Sequence, residues 1–369
     1  MSQSILVVAG EISGDMHAAR LIKSMRKRSP QDIDIWGIGG PRMRDEGVET
    51  LVDISDMAVM GLWEVLKRYR FFKKTFDALV AEAEARKPDL VLLVDYPGFN
   101  LRFAKEMKQR GINVVFYVCP QVWAWKSSRI PKMAEVIDRL LVIFPFEVAI
   151  FNEYPLQVDC VEHPLLEEID HALAADSIEL PWQPGKAKLA LLPGSRDQEI
   201  ERILPVMLET AKRLPDASPV LAAANHAIAE KLRSQTSIPV VEGSTREILR
   251  QADAALVVSG TATLETGLIG CPMAIVYKTS PITYAIGKRL VKVPHIGMVN
   301  VVAQKEVCPE FIQHEAEPQA LAKALTPLLK RGSPERTKMI KELKDVSQHL
   351  RDAGATDPAV FVLDELATS

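Results

Sequence analysis

Several features that would place this 369-residue chain in a specialised class are missing. Its four cysteines, Cys119, Cys160, Cys271 and Cys308, lie far apart and form no CxxC pair, so we expect neither a disulfide framework nor a zinc site. No run of about 18 apolar residues occurs, and the N-terminal residues lack the basic and apolar regions of a signal peptide. We therefore expect a protein of the reducing cytoplasm that is neither secreted nor membrane-spanning.

The chain also lacks an excess of charge of one sign and the common nucleotide motifs. Lys and Arg number 45 against 48 Asp and Glu, a net charge of −3, so no basic field indicates nucleic acid as a partner. There is no GxxxxGK[ST], and the glycines at 37–40 lack GxGxxG spacing, which disfavours an ATPase or an NAD-dependent dehydrogenase. The DxD formed by Asp32 and Asp34 precedes a predicted strand, so we expect a metal-free site without a cofactor.

What the sequence does contain is a repeated alternation of short apolar runs and longer amphipathic stretches, typical of βα units around parallel sheets. With 47% hydrophobic and 25% charged residues, the chain is long enough for two domains. We predict two Rossmann-like, doubly wound domains facing a cleft, 1–165 and 166–344, with a C-terminal helix 345–369 that completes the first. The predicted strands are 5–9, 33–36, 90–94, 114–118 and 140–143, then 189–192, 220–223, 239–241, 254–258 and 273–276.

The segment 254–265 (AALVVSGTATLE) is the clearest candidate for an anion site. An apolar strand stops at Ser259 and Gly260 and restarts as a predicted helix containing Thr261, Thr263 and Glu265, so unpaired amides at the positive end of the helix dipole would suit a phosphate. The alternative is that Ser259 and Thr261 only cap the helix. Glu265 either interacts favourably with the positive end of the helix dipole or accepts hydrogen bonds from ribose hydroxyls.

A second strand-to-helix turn in the same half, LLPGSR at 191–196, supports a diphosphate ligand. Ser195 lies in this turn, and Arg196 would add a guanidinium to the backbone donors. Arg196 can also be a plain surface residue. The occurrence of both turns in one predicted sheet favours a diphosphate held without a metal.

The turns of the first half carry carboxylates instead of cations. Glu11 and Asp15 follow the opening strand and are predicted to enter the cleft, where they suit hydroxyl groups better than phosphate. Asp95 directly follows four apolar residues and precedes a Pro-Gly turn, which makes it a candidate general base. The alternatives are that Asp95 caps the next helix and that Asp15 occupies an ordinary first helical turn.

Two segments combine aromatic residues with cations. The first, 56–74, mixes apolar and basic side chains in a way that suits a bilayer surface, although an amphipathic core helix with a basic face is the alternative. The second, 120–129, contains two tryptophans and could line the cleft. The side chains concerned are Met60, Trp63, Lys67, Arg68, Phe71 and Phe72 in the first segment and Trp123 and Trp125 in the second.

Taken together, these motifs resemble those of lipid-A-disaccharide synthases. The matching motifs run in order from residue 10 to about residue 310, and the WAWK and SGTATLE segments are the most specific. They are GEISGD at 10–15, MG at 60–61, DYPGFN at 95–100, VWAW at 122–125, PFE at 145–147, LPGSR at 192–196 and SGTATLE at 259–265.

The resemblance implies a GT-B inverting glycosyltransferase that joins UDP-2,3-diacylglucosamine to 2,3-diacylglucosamine 1-phosphate. The products would be a β-1,6-linked disaccharide 1-phosphate and UDP, formed by a peripheral protein on the cytoplasmic face of the inner membrane. The resemblance assigns Asp95 and Glu11 to catalysis. It places Arg196, Glu265 and Asn300 at or near the UDP-sugar site, where Arg196 and the helix terminus at 259–263 would stabilise the leaving diphosphate.

Two other readings remain open at the level of sequence. UDP-N-acetylglucosamine 2-epimerases share the GT-B architecture and the nucleotide, but their substrate has no acyl chains to match the segment 57–74. A non-catalytic lipid- or nucleotide-sugar-binding module would explain that segment and leave Glu11 and Asp95 without a task. The oligomeric state is open.

Overall fold

The computed structural model describes residues 3–57, 69–125, 127–290 and 293–368. It divides into two compact units: the chain up to Pro164 together with the chain from Ala353 onward, and Leu165–Asp352 between them. The chain returns from the second unit to the first between Asp352 and Ala353, and not at the predicted residue 345, because Pro334–Ala353 is one continuous helix. No helix among the described residues is long and apolar enough to cross a membrane.

The first unit is built on a parallel sheet of seven strands in the order β3-β2-β1-β4-β5-β6-β7. Its strands are β1 Gln3–Ala9, β2 Ile33–Gly39, β3 Glu49–Asp53, β4 Leu90–Val94, β5 Asn113–Tyr117, β6 Arg139–Val142 and β7 Gln157–Cys160. Its helices are Ile12–Arg28, Pro41–Asp45, Ile54–Met57, Tyr69–Arg86, Pro97–Gln109, Val122–Trp125, Ile130–Val136, Pro145–Ile150 and Pro358–Thr368.

Helices cover both faces of this sheet, which explains why its central strands are apolar throughout. Side chains alternate along β1, so Leu6 and Val8 join one buried cluster and Ile5 and Val7 join the other. The last helix, Pro358–Thr368, packs on the second face through Val362 and other buried side chains. The C-terminal residues therefore complete the core of the first unit.

The second unit has a parallel sheet of six strands in the order β10-β9-β8-β11-β12-β13. Its strands are β8 Ala187–Leu192, β9 Ala217–Ala223, β10 Val240–Glu242, β11 Ala254–Val258, β12 Met273–Tyr277 and β13 Glu310–Ile312. Its helices are Pro164–Ala174, Asp197–Lys212, His226–Arg233, Thr245–Gln251, Thr261–Ile269, Pro281–Leu290, Met298–Ala303, Pro318–Leu329 and Pro334–Ala353.

Both sheets reverse their strand order at one point, between β1 and β4 in the first unit and between β8 and β11 in the second. The helices that follow the two central strands then leave on opposite sides, which opens a crevice beyond the carboxyl ends of those strands. Ligands of doubly wound proteins bind at such switch points. The predicted fold class is confirmed.

The differences from the predicted elements are local. The strands β3, β7 and β13 were not predicted; they are short, and most of their side chains are only partly buried. The glycines at 37–39 lie inside β2 and do not follow it. Asp34 likewise lies within β2, near its amino end, so it is remote from the carboxyl edge where ligands bind.

Candidate functional site

The switch point of the first unit brings the turns that contain Glu11 and Asp95 together. The strands β1 and β4 are adjacent and parallel, with Ala9 opposite Val94. Glu11 lies two residues beyond the end of β1 and Asp95 directly beyond the end of β4. Both side chains therefore belong to one end of one sheet.

The backbone at Asp95 is held in an uncommon conformation. Asp95 and Tyr96 have φ angles of +51° and +48°, which cost non-glycine residues free energy, typically about 1–3 kcal/mol each. The Asp95 amide donates to the Tyr117 carbonyl at 2.8 Å, and the Asn100 side-chain amide donates to the Asp95 carbonyl at 2.7 Å. The Asn100 nitrogen also lies 3.3 Å from the carbonyl oxygen of Val94, which fixes the turn to the end of β4.

Asp95 does not cap the helix that follows it, so the capping alternative is wrong. The residue at the N-cap of Pro97–Gln109 is Tyr96, and no side chain caps that helix. The Asp95 carboxylate is partly buried and accepts a hydrogen bond from the Tyr96 amide. Its remaining acceptor capacity is available for a ligand.

Burial shapes the electrostatics of this turn. It raises the pKa of Asp95, and the Tyr96 amide partly offsets that rise. The pKa of Glu11 is also raised, first by burial and then by the negative charge of Asp95, so the two carboxyl groups lie close enough to interact. The pKa of Tyr96 is raised by burial and by Glu11. A carboxylate with a raised pKa is a better proton acceptor than one in water.

A close contact between the two turns requires Gly10. A Cβ atom at this position would lie 2.3 Å from Cδ1 of the Tyr96 ring. The aromatic ring therefore lies directly on the backbone of the first turn, and a larger residue at position 10 would displace the Asp95 turn.

Asp15 has a structural role, and the prediction that its carboxylate enters the cleft is wrong. It is 1% exposed and accepts hydrogen bonds from the amides of Gly40, Arg42 and Met43 at 2.7, 3.0 and 3.1 Å. These amides belong to the start of the neighbouring helix Pro41–Asp45. Asp15 thus caps a helix other than its own.

In the second unit, the two glycine turns are neighbours, as predicted. The strands β8 and β11 pair with Leu192 opposite Val257. Gly194 has a φ of +109°, and a Cβ atom there would lie 3.3 Å from Cγ1 of Val258. The turn after β8 therefore packs against the end of β11.

Arg196 lies on the surface, where it pairs with Glu199. Its side chain is 82% exposed and its Nη1 lies 2.9 Å from the Glu199 carboxylate, while Ser195 is also exposed. An exposed ion pair of this kind contributes about 0–1 kcal/mol, so a phosphate can replace it at little cost.

The N-cap residue of the helix Thr261–Ile269 is Gly260, which has a φ of +148°, and no side chain caps this helix. The capping alternative for Ser259 and Thr261 is therefore not what the fold shows. The Ser259 hydroxyl donates to the Ile296 carbonyl at 2.7 Å, and the buried Thr263 hydroxyl donates to the Gly260 carbonyl at 2.8 Å. Thr261 is exposed. These contacts shape the turn and leave first-turn amides as anion donors.

Glu265 and Asn300 are engaged by protein groups. Arg246 donates to the Glu265 carboxylate at 2.6 Å and also pairs with Glu168. Asn300 is fully buried; its Oδ1 accepts from the amides of Val307 and Cys308, and its Nδ2 donates to Cys308 and to Glu310. Asn300 therefore has no free polar atom for a ligand.

Sequence reasoning missed Glu310. Its carboxylate accepts from the amides of Ile296 and Gly297, both at 2.9 Å, and from Asn300 at 2.8 Å. Because the Ile296 carbonyl accepts the Ser259 hydroxyl, Glu310 and Asn300 together hold the segment against which Ser259 rests. No sequence motif indicated Glu310, because two of its three partners are backbone amides.

Of the aromatic and basic segment 56–74, Met60, Trp63, Lys67 and Arg68 lie outside the described residues. Phe71 and Phe72 are partly buried and pack against the core of the first unit, with ring centroids 5.8 Å apart. For these two residues the structure therefore matches the core-helix alternative.

Of the two tryptophans, Trp123 is partly buried, and the side chain of Trp125 lies outside the described set. The indole Nε1 of Trp123 donates to the Glu147 carboxylate at 2.9 Å, and its ring packs edge-to-face on Phe146. The contact with Glu147 was not predicted, because only folding brings together residues 24 positions apart.

Comparison with known proteins agrees with this arrangement. The family model described as lipid-A-disaccharide synthetase matches residues 5–362. The lipid-A-disaccharide synthase of Syntrophus aciditrophicus (strain SB) is 41% identical over 363 residues, covering 95% of this chain and 93% of the relative. That of Myxococcus xanthus (strain DK1622) is 38% identical over 373 residues, covering 98% and 97%.

Solved structures share the fold at low sequence identity. The glycotransferase of kitacinnamycin has a TM-score of 0.61 at 16% identity and covers 99% of this chain and 100% of its own. A UDP-GlcNAc 2-epimerase from Neisseria meningitidis, bound to UDP-GlcNAc, has a TM-score of 0.59 at 14% identity and covers 100% of both chains. At such identities the likeness shows the fold alone, so the epimerase reading is the less supported. The family match and the curated relatives span nearly the whole length, and the chain belongs to the lipid-A-disaccharide synthase family of glycosyltransferases.

Proposed function

We propose that the chain transfers the diacylglucosamine group of UDP-2,3-diacylglucosamine to the 6-hydroxyl of 2,3-diacylglucosamine 1-phosphate. The acceptor oxygen forms a bond to the anomeric carbon of the donor while the bond from that carbon to UDP breaks, with inversion. The products are the β-1,6-linked disaccharide 1-phosphate and UDP, and the hydroxyl proton goes to a base. The observation that carries the proposal is the position of Asp95 at the switch point of the first unit. Its carboxylate does not cap the next helix, and burial raises its pKa.

In this mechanism the first unit binds the acceptor. Asp95 takes the proton of the 6-hydroxyl, and a base positioned in this way typically contributes about 10²- to 10⁴-fold to the rate. Glu11, on the adjacent turn, accepts hydrogen bonds from sugar hydroxyls and fixes the acceptor beside Asp95. The left-handed backbone at Asp95 and Tyr96, held by Asn100, supports this assignment because strain of this kind concentrates at functional sites.

The second unit binds UDP and stabilises it as it leaves. The guanidinium of Arg196, the hydroxyls of Ser195 and Thr261 and the amides after Gly260 donate to the diphosphate. Glu265, oriented by Arg246, accepts from the ribose hydroxyls. Ser259, Thr263 and Asn300 act indirectly, because their polar atoms shape the donor turn. Negative charge grows on the diphosphate as the bond breaks, so these donors act most strongly in the transition state.

A product analysis tests the proposal against its rival. The protein is incubated with the diacylated donor and acceptor, and the lipid product is identified by mass spectrometry and by the NMR coupling of its new anomeric proton. The proposal expects a β-linked disaccharide. Incubation with UDP-N-acetylglucosamine alone should leave that sugar unchanged, and appearance of the manno epimer would establish the isomerase instead.

We further propose that the protein acts as a peripheral protein on the cytoplasmic face of the inner membrane, where its acylated substrates reside. Cations near apolar side chains favour an anionic lipid surface, and Lys73 and Lys74 are exposed on the helix Tyr69–Arg86. Flotation with anionic vesicles should therefore be lost when four cations are changed to glutamate, namely Lys67, Arg68, Lys73 and Lys74. A control with the same charge change should still float: Lys330, Lys338, Lys341 and Lys344, all exposed. Equal flotation of the two variants would refute the proposal.

A further inference from the structure

One buried carboxyl group has no role in the mechanism above. Glu147 is 1% exposed and lies in the short helix Pro145–Ile150 that follows β6. Glutamate is rarely this buried unless it is paired. The hydrogen bonds that the structure gives to its side chain come from uncharged groups.

These groups surround the carboxylate. Oε1 accepts from the indole Nε1 of Trp123 at 2.9 Å, and Oε2 accepts from the Phe144 amide at 3.2 Å. The Ile143 amide and the Cys119 thiol lie close enough to lower its pKa, and the thiol donates to the Pro120 carbonyl at 3.3 Å. Donors that face both oxygens of one carboxyl group are best satisfied when that group is ionised, because a protonated carboxyl is itself a donor.

The bond to Trp123 sets the geometry of an aromatic pair. The ring centroids of Trp123 and Phe146 are 5.0 Å apart with planes at 88°, and Phe146 stacks on Phe144 at 5.6 Å. Trp123 and Phe146 are both partly exposed, whereas Phe144 is buried. The two outer rings therefore present an apolar surface whose orientation depends on Glu147.

This surface lies at the same edge of the sheet as Asp95. Trp123 follows β5 and Phe146 follows β6, which are adjacent parallel strands. The strand β5 also pairs with β4, and its residue Tyr117 accepts the Asp95 amide. The aromatic pair thus follows the two strands next to β4 in the sheet, at the same edge as the candidate base.

We propose that Glu147 is a positioning residue of the acceptor site: its carboxylate fixes the indole of Trp123 against Phe146, and the two rings form a rigid apolar surface that contacts the acceptor. The proposal rests on the proposed function. The chemistry recognised is an apolar C–H surface, supplied either by an acyl chain or by the face of the glucosamine ring.

The charge state of Glu147 gives this role a distinctive signature. Burial raises its pKa to about 7, in spite of the donors that lower it. The other titratable groups that sense it are Cys119 and Cys160; burial raises the pKa of each thiol, and the charge of Glu147 raises it further. Protonation of Glu147 below pH 7 should loosen Trp123, so acceptor binding should weaken as the pH falls.

The test compares Glu147→Gln with Trp123→Phe, which keeps an aromatic ring but removes the indole N–H together with the five-membered ring. Glu147→Gln keeps the volume but adds a donor to a donor-rich site, so we expect the acceptor KM to rise about tenfold, the equivalent of one hydrogen bond to a charged group. The kcat and the UDP affinity should stay within about twofold. The matched control is Glu153→Gln, the same change at an exposed position, which should leave the acceptor KM unchanged.

Coupling between the two residues separates positioning from a general loss of structure. In the Trp123→Phe background, Glu147→Gln should add nothing further to the acceptor KM, and the change of KM between pH 6 and pH 8 should disappear in each variant. If Glu147→Gln fails to fold, the pH dependence of Trp123→Phe alone decides the matter. Acceptors with shortened acyl chains identify the contact: equal KM increases for long and short chains indicate the sugar face, and larger increases for long chains indicate an acyl chain.

The inference is overturned if Glu147→Gln leaves the acceptor KM unchanged, or if its effect is the same with and without the Trp123 indole. Failure of the proposed function is recognised separately, because the wild-type protein would then form no disaccharide from the diacylated substrates.

Discussion

The substitution Asp95→Asn separates the chemical step from binding and folding. Asparagine has the same shape, and its Oδ1 can still accept from the Tyr96 amide, as Asp95 does. What is lost is the basic carboxylate, so kcat should fall by about 10²- to 10⁴-fold, the usual contribution of a general base. The UDP affinity should not change, because the groups proposed to bind UDP lie in the second unit.

The same variant has an expected effect on stability. Because burial raises the pKa of Asp95, the folded protein holds this proton more tightly than the unfolded chain does. The wild-type protein therefore loses stability as the pH rises through the raised pKa, and Asp95→Asn removes that loss. Its Tm at pH 7 should equal or exceed that of the wild type. Activity of the wild type should rise with pH over the same interval, since the base acts when deprotonated.

The assay is a steady-state measurement of UDP release, with isothermal calorimetry for UDP and thermal unfolding on the same samples. Asp15→Asn is the matched control, because it removes one charge from a buried aspartate whose oxygens accept three backbone amides. It should lower the free energy of unfolding by about 1–3 kcal/mol. A near-normal kcat for Asp95→Asn would refute the base assignment. If kcat falls in proportion to the loss of stability in both Asp95→Asn and Asp15→Asn, Asp95 has only a structural role.

Three further substitutions test other parts of the account. Arg196→Ala should weaken UDP binding about tenfold or more by calorimetry, whereas Arg202→Ala, an exposed change on the same helix, should not; equal affinities would remove Arg196 from the site. Gly10→Ala should lower kcat at least about tenfold, because the added Cβ would lie 2.3 Å from the Tyr96 ring. Gly98→Ala should leave kcat unchanged, because no atom lies within 4 Å of a Cβ at that position. Similar kcat values for the two variants would contradict the role of Gly10. Glu310→Gln should lower the free energy of unfolding in urea by about 1–3 kcal/mol, because three groups that donate to the carboxylate then face a neutral amide with one oxygen. The variant should also bind UDP more weakly, and an unchanged UDP affinity would disprove the link between Glu310 and the donor turn.

The sequence was sufficient for the central part of each sheet. Strands such as β4 and β11 are buried on both faces, so their apolar residues form continuous runs that are easily recognised. The strands β3, β7 and β13 were missed because their residues are partly or fully exposed, which leaves no such run. The turns that follow the central strands were also located correctly, because each turn begins where a continuous apolar run ends.

The sequence was least informative about which polar side chains are free to bind a ligand. Glu11 and Asp15 follow the same strand and look equivalent, yet Asp15 caps a helix whose N-cap residue, Gly40, lies 25 residues beyond it. Asn300 looked like a ligand-binding amide and proves to have all its polar atoms engaged within the protein. The partners in these cases are distant backbone groups, which leave no residue-type pattern to read.

Acceptor-dependent release of UDP tests the central claim most directly. The protein is given UDP-2,3-diacylglucosamine with and without 2,3-diacylglucosamine 1-phosphate, and free UDP is measured over time. The account predicts rapid UDP release with the acceptor and little without it, because Asp95 acts on the acceptor hydroxyl. Equal release in both reactions, or none in either, would contradict it.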